Sequence, residues 1–341
     1  MIDLRSDTVT RPTEAMRKVI SCSAVGDDMF REDPEVNALE EKVASLFEKE
    51  SGLFVPSGTM GNQLAVKVLT QPGDEVIIEE KAHLFHAETA ACSMISGVQL
   101  YPLKGIRGML DADMVLKAIR GDHDWEPRTG LISVENTANM GGGTCYPLDK
   151  IQEIYTLAQT VNIPVHIDGA RIWNASIASD IPLPVFGALC DTISVCFSKG
   201  LGAPVGSMLL SDSKTIEQAR RYRKVLGGGM RQAGLLASAA SYAVDHHFPM
   251  LKEDHRRAAL LAEAVAENDA FFIQPKHVET NIVIFEVVKG SVDSALKWLS
   301  DHGVAMVPFG GNTIRATFHL EINDQGLDMA RKAVTSYRPV L

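Results

Sequence analysis

Long apolar runs are missing from this chain. No segment approaches the roughly 20 consecutive apolar residues that cross a bilayer. The opening MIDLRSDTVTRPTE carries charges and a proline where a secretory signal needs an apolar stretch. The five cysteines (Cys22, Cys92, Cys145, Cys190, Cys196) are odd in number and form no C-x-x-C pair. That excludes a disulfide framework and a cysteine-based zinc site, and no metal is expected. Blocks of like charge are absent too: the net charge of -10 is spread along the sequence. Nucleic acid and anionic membrane are therefore poor partners, and a cytoplasmic protein acting on a small molecule is expected. Neither G-x-x-x-x-G-K-[ST] nor G-x-G-x-x-G occurs, so no nucleotide loop is present. Repeats and low-complexity stretches are lacking as well.

What is present is 341 residues, 45% of them hydrophobic, enough for two domains or one large one. From Gly52 to Ser211 short apolar runs alternate with amphipathic stretches. GLFVPSG precedes TMGNQLAVKVL, DEVIIEE precedes HLFHAETAACSMI, and VQLYPL precedes DADMVLKAI. GLISVEN, IPVHIDG, DTISVCFS and VGSMLLS continue the series. Continuous apolar strands between helices predict an α/β fold, its mostly parallel sheet covered on both faces. Residues 213–268 read as helical apart from GGGMR. NIVIFEV, SVDSALKWLSDHG, VAMVPFG, TIRATFH and DQGLDMARKAVTSY then read as a small α+β domain. The expected division is a large domain over 1–250, with residues 1–14 contributing to its site, and a small C-terminal domain over 251–341.

Ligands of such sheets bind at the carboxyl ends of the strands, and two strands end on residues unsuited to packing. Asp168 closes VHID, and Lys199 follows DTISVCFS. Separately, a strand-end aspartate is an ordinary helix cap and the lysine a snorkelling surface residue. VPSGTMGNQ supplies a third element, a hydroxyl- and glycine-rich turn into a helix whose free N–H groups, with Ser57 and Thr59, suit a phosphate. A lysine for an imine, a carboxylate for a pyridine nitrogen and an anion cradle together suit pyridoxal 5'-phosphate (PLP). Arg171 at a helix start opposes the macrodipole and so points to a role. Arg315 in an alternating strand reads more readily as a solvated outward residue. His246, His247 and His255 read as the polar surface of two helices, and Gly141-Gly142-Gly143 as a flexible turn.

LRSDTVTRPT, VGDD, EDP, FVPSGTMGNQ, HIDGAR, FSKGLGAPVGS and LGGGMRQAG closely resemble the low-specificity threonine aldolases, PLP enzymes of fold type I grouped with the β-eliminating lyases. The resemblance covers nearly the whole chain. It implies a retro-aldol cleavage of a β-hydroxy-α-amino acid to glycine and an aldehyde. Lys199 is then the Schiff-base lysine, and Asp168 pairs with the pyridine nitrogen. Gly58, Thr59 and Met60 contact the phosphate, and His83 stacks on the ring near the substrate hydroxyl. Ser6, Arg171 and Arg315 hold the substrate carboxylate. Arg231, with Lys224 nearby, reaches the phosphate of a neighbouring subunit in a homotetramer built as a dimer of dimers.

Three positions depart from the family pattern. DHDWEPRTG places Trp125 where a second histidine is usual, or moves that histidine to His123. ENTAN has Ala138 in place of histidine. GDDMFRED has Phe30 and Arg31 in place of tyrosine and glycine. These departures are expected to alter how the β-substituent is read, with Trp125 lining its pocket. A β-eliminating lyase, or a PLP-binding scaffold with little catalysis, are the rival readings.

Overall fold

A computed structural model of the chain describes residues 1–339. Its strands are β1 (Ile2–Asp3), β2 (Ser51–Val55), β3 (Glu75–Glu79), β4 (Gln99–Leu103), β5 (Thr129–Glu135), β6 (Val165–Gly169), β7 (Thr192–Cys196) and β8 (Ser207–Ser211). β9 (Phe271–Phe272), β10 (Ile282–Val287), β11 (Val304–Ala305), β12 (Val307–Pro308) and β13 (Thr313–Thr317) follow. A seven-stranded sheet runs β2-β8-β7-β6-β5-β3-β4. Every neighbouring pair in it is parallel except the two made by β8. β3, β5, β6, β7 and β8 are buried at every position, which is why they read as unbroken apolar runs rather than alternating ones. A four-stranded antiparallel sheet, β12-β13-β10-β9, forms the second layer system.

Two large cores follow from these sheets. One gathers side chains from Met16 to Leu251. The other gathers Leu4 and residues from Ala258 to Tyr337. Residues 2–4 pack with the second core, where β1 pairs in parallel with β11 and Leu4 is buried. That docking delivers the next residues, Arg5 to Thr10, to the C-terminal edge of the large sheet.

Some local expectations need correction. HLFHAETAACSMI is not one helix. A short helix His83–His86 ends before Thr89 and Ala90, both in the left-handed region (φ 53° and 56°), and a π-helical turn Cys92–Ser96 follows. The break lets the Glu88 carboxylate turn inward to three donors. VAMVPFG is two two-residue strands serving different sheets. Of His246, His247 and His255, read as helix surface, only His246 faces solvent. His247 Nδ1 lies 2.7 Å from the Leu201 carbonyl, and the His255 ring takes a hydrogen bond from Asn174. The glycine turn is required by close approach rather than by flexibility. A Cβ on Gly141 would lie 2.1 Å from the Arg107 carbonyl oxygen.

Candidate active site

β5, β6 and β7 end side by side, and the side chains at their carboxyl ends build the site. Glu135 closes β5 directly opposite Asp168 on β6. Lys199 stands three residues past β7, held by a tight turn: its carbonyl accepts the Gly202 N–H at 2.8 Å and the Thr10 hydroxyl at 3.1 Å. The lysine is half-buried, and among the described residues its amine has no hydrogen-bond or ion-pair partner. A free amine at the mouth of a buried sheet is available for covalent chemistry.

Asp168 is 3% exposed, and its carboxylate accepts from the Ala170 N–H and from Asn62 Nδ2. The same Asn62 nitrogen donates to Glu88, which also accepts from Gln63 Nε2 and faces His83 Nδ1 at 2.9 Å. Glu88 thus orients the His83 ring and raises its pKa above the ordinary histidine value. Burial opposes that rise, and the Asp168 charge adds to it. With Nδ1 turned to Glu88, Nε2 is the ring atom left to exchange a proton with a ligand. Glu135 accepts the backbone N–H groups of His83 and Asn139. Burial, reinforced by the nearby Asp168 charge, pushes its carboxyl up to about 7. His83, Glu88 and Asp168 offer atoms within 4.8 Å of one another, as metal ligands would. Amide N–H groups of Asn62 and Gln63 point at these carboxylates, however, and satisfy them without a cation.

The arginines meet on the other side. Arg171 is buried and held by Asp7 through two 2.7 Å hydrogen bonds, which removes the conflict with the helix start. Arg315 Nη2 donates to the Arg5 carbonyl, so Ser6 sits between residues bonded to the two guanidiniums. One Nη1 from each arginine converges on Asn139 Oδ1, at 3.3 Å and 3.4 Å. Two forks aimed at one oxygen acceptor make a carboxylate-sized anion site.

The cradle lies beside the lysine. A Cβ on Gly58 would be 2.7 Å from Cys196 Sγ, so the helix Gly58–Leu69 begins against the end of β7. Ser57 caps it by accepting the Met60 N–H. Among the described residues the Gly58 and Thr59 N–H groups have no acceptor, which leaves two donors for a phosphate. Lys224 and Arg231 are exposed. Arg231 pairs with Asp27, and the intervening turn touches the cradle where a Cβ on Gly228 would meet Met60 Sδ at 2.2 Å.

Trp125 is not brought to the site within this chain. It is 78% exposed, stacked on His123, on the loop before β5 and so at the opposite end of that strand from Glu135. Ala138 is buried, its Cβ facing Gly108 and Gly141, so this departure lies beneath a turn. Phe30 is 71% exposed. Sequence reasoning missed Asp7, Asn62, Glu88, Glu135 and Asn139. None is a strand-end signal except Glu135, and that one was visible in GLISVEN.

The description "Beta-eliminating lyase" matches residues 3–288. The low-specificity L-threonine aldolase 1 of Arabidopsis thaliana is 39% identical over 328 residues, covering 94% of this chain and 92% of that protein. The low specificity L-threonine aldolase of Escherichia coli (strain K12) is 36% identical over 328 residues, 96% of each. In fold, the threonine aldolase of Leishmania major superposes with a TM-score of 0.83 at 17% identity, over 98% of both chains. A serine palmitoyltransferase from S. paucimobilis with bound PLP-myriocin aldimine gives 0.74 at 17% identity, over 98% of this chain and 86% of that one. The matched span and these relatives place the chain in the β-eliminating lyase family, among relatives that are low-specificity threonine aldolases.

Proposed function

We propose that the chain is a PLP-dependent carbon–carbon lyase that cleaves a β-hydroxy-α-amino acid of the threonine or allo-threonine type to glycine and an aldehyde. The observation that carries this is the free amine of Lys199 on the same sheet edge as the buried Asp168 carboxylate and the Arg171–Arg315 pair.

The residues fit the cofactor by their donor chemistry. Lys199 would hold its aldehyde, Asp168 would face its ring nitrogen, and the open N–H groups of Gly58 and Thr59, with Met60, would take its phosphate. When bound, PLP supplies the electron sink that lets a bond at the substrate Cα break heterolytically. Arg171 and Arg315, with Ser6 between them, bind the substrate carboxylate and so fix which Cα bond is presented for cleavage. His83 Nε2 accepts the β-hydroxyl proton while Glu88 steadies the imidazolium that results. The Asp7 pair keeps Arg171 in place throughout.

Lys224 and Arg231 stand exposed and fit a role toward a neighbouring subunit's phosphate, as the family resemblance implies. With it come the homotetramer and a cytoplasmic setting, and no described helix is long and apolar enough to cross a membrane. Trp125 then has a route to a substrate pocket only across a subunit boundary. Because the matching family description names β-elimination, product analysis decides between the two chemistries. Purified protein with PLP should release an aldehyde and glycine from threonine, allo-threonine or phenylserine. Ammonia and a keto acid would move the assignment to a β-eliminating lyase. The imine absorbance of the holoprotein should disappear in Lys199→Ala, and its persistence would remove Lys199 from its role.

A further inference from the structure

Asn62 makes four side-chain hydrogen bonds in a buried position, and two of them join a pair of carboxylates. Nδ2 lies 2.9 Å from Glu88 Oε1 and 2.8 Å from Asp168 Oδ2. Oδ1 faces the Ser194 hydroxyl and His166 Nε2. Carboxylates only accept, so the two N–H bonds of the amide must point one to each of them. Oδ1 is then left to accept from Ser194 and from a protonated His166 Nε2. His166 Nδ1 in turn accepts the Thr192 hydroxyl at 2.8 Å. This arrangement suits a neutral imidazole, and burial does hold the His166 pKa down at about 4. The amide therefore cannot turn over: flipped, it would set an oxygen against two carboxylates.

Like charges this close repel strongly in a buried setting. Glu88 has further donors in Gln63 and His83, whereas among the described residues Asp168 has only the Ala170 N–H besides Asn62. Asp168 therefore depends more on the amide than Glu88 does.

We propose that Asn62 is a positioning residue whose carboxamide holds the Asp168 carboxylate beside Glu88 and thereby sets how strongly the chain favours a cofactor with a basic ring nitrogen. This rests on the reading that Asp168 faces that nitrogen. His166, Thr192 and Ser194 serve to aim the amide.

The test is equilibrium binding to the apoprotein of PLP and of its carbocyclic analogue, in which the ring nitrogen is replaced by carbon. Wild-type protein should prefer PLP. Asn62→Ala should lose about tenfold of that preference, the scale of one hydrogen bond to a charged group, with analogue affinity unchanged. Equal losses for both ligands, or no loss, would overturn the proposal, because a merely structural asparagine does not distinguish them. Should Asn62→Ala fail to fold, Asn62→Ser, whose hydroxyl can donate to one carboxylate only, carries the same expectation. Asp168→Asn is the control and should abolish the preference. If it leaves the preference intact, Asp168 does not face the nitrogen, and both that reading and the proposal fall. If only the Asn62 variants leave it intact, the Asn62 proposal alone falls.

Discussion

Asp7 grips Arg171 edge to edge, Oδ2 to Nε and Oδ1 to Nη2, each at 2.7 Å, with both residues out of solvent. The pair joins the N-terminal segment to the helix after β6, and Asn281 adds a third hydrogen bond to the aspartate. Burial alone would raise the Asp7 pKa, but the charge and hydrogen bonds of Arg171 win and bring it down to about 2. A carboxyl lowered on folding stabilises the protein above its ordinary pKa near 3.8 and loses that contribution as pH falls toward 2. Asp7→Asn should therefore flatten the loss of stability between those values in acid melts. It should also cost about 3 kcal/mol at neutral pH by leaving a buried guanidinium uncompensated. Amino-acid binding should weaken with it, since Arg171 loses its aim. Unchanged glycine affinity in a folded Asp7→Asn variant would remove Arg171 from carboxylate binding.

Glu88 sets the proton affinity of His83. Its hydrogen bond is the largest cause of the raised histidine pKa, so Glu88→Gln should lower the His83 midpoint in NMR titrations of the apoprotein. The pH at which cleavage switches on should move down in parallel, because His83 must be neutral to take the hydroxyl proton. A histidine midpoint unmoved by the substitution would assign the control to Asp168 instead.

The succession of strands and helices, the turn into the helix at Ser57 and the place of Lys199 just past a strand were legible in the sequence because each depends on local pattern. DTISVCFSKG must leave a lysine at a strand end once the apolar run is read as a buried strand. The polar network beneath was not legible, since it joins residues far apart in the chain: Asn62 to Asp168, Asp7 to Arg171, Glu88 to His83. Asn62 and Gln63 lie within an apolar helical pattern that does not itself say which way two amides face. Only the fold shows that they face inward. Glu88 was hidden for a related reason, because its inward turn needs the left-handed Thr89 and Ala90, which no glycine announces.

Glu135 gives the stability curve a slope of opposite sign to Asp7. Its folded pKa, about 7, lies above the ordinary 4.5 because of burial and the Asp168 charge. A carboxyl raised on folding contributes stability fully present below 4.5 and lost as pH rises through 7. Apoprotein melting temperatures should fall across that window, and Glu135→Gln should flatten the fall. Its single carbonyl oxygen cannot serve both the His83 and Asn139 N–H groups at their present positions, so the variant should also be less stable at pH 5. A slope that survives the substitution would place its source elsewhere.

Arg31 occupies a left-handed conformation (φ 61°) at the end of the turn Asp28–Phe30, where the family resemblance leads one to expect glycine. An L side chain there crowds its own carbonyl, a cost of about 1 kcal/mol that glycine avoids. The compensation on view is an ion pair with Glu217, with side chains 56% and 53% exposed. A pair that exposed is worth little. Arg31→Gly should accordingly raise stability by roughly 0.5 kcal/mol in urea melts, despite losing the pair. Arg31→Ala keeps the strained backbone and loses the same partner, so it should lower stability slightly. The comparison separates backbone from side chain: if both variants destabilise alike, the Glu217 contact outweighs the strain, and the arginine is held there for its charge.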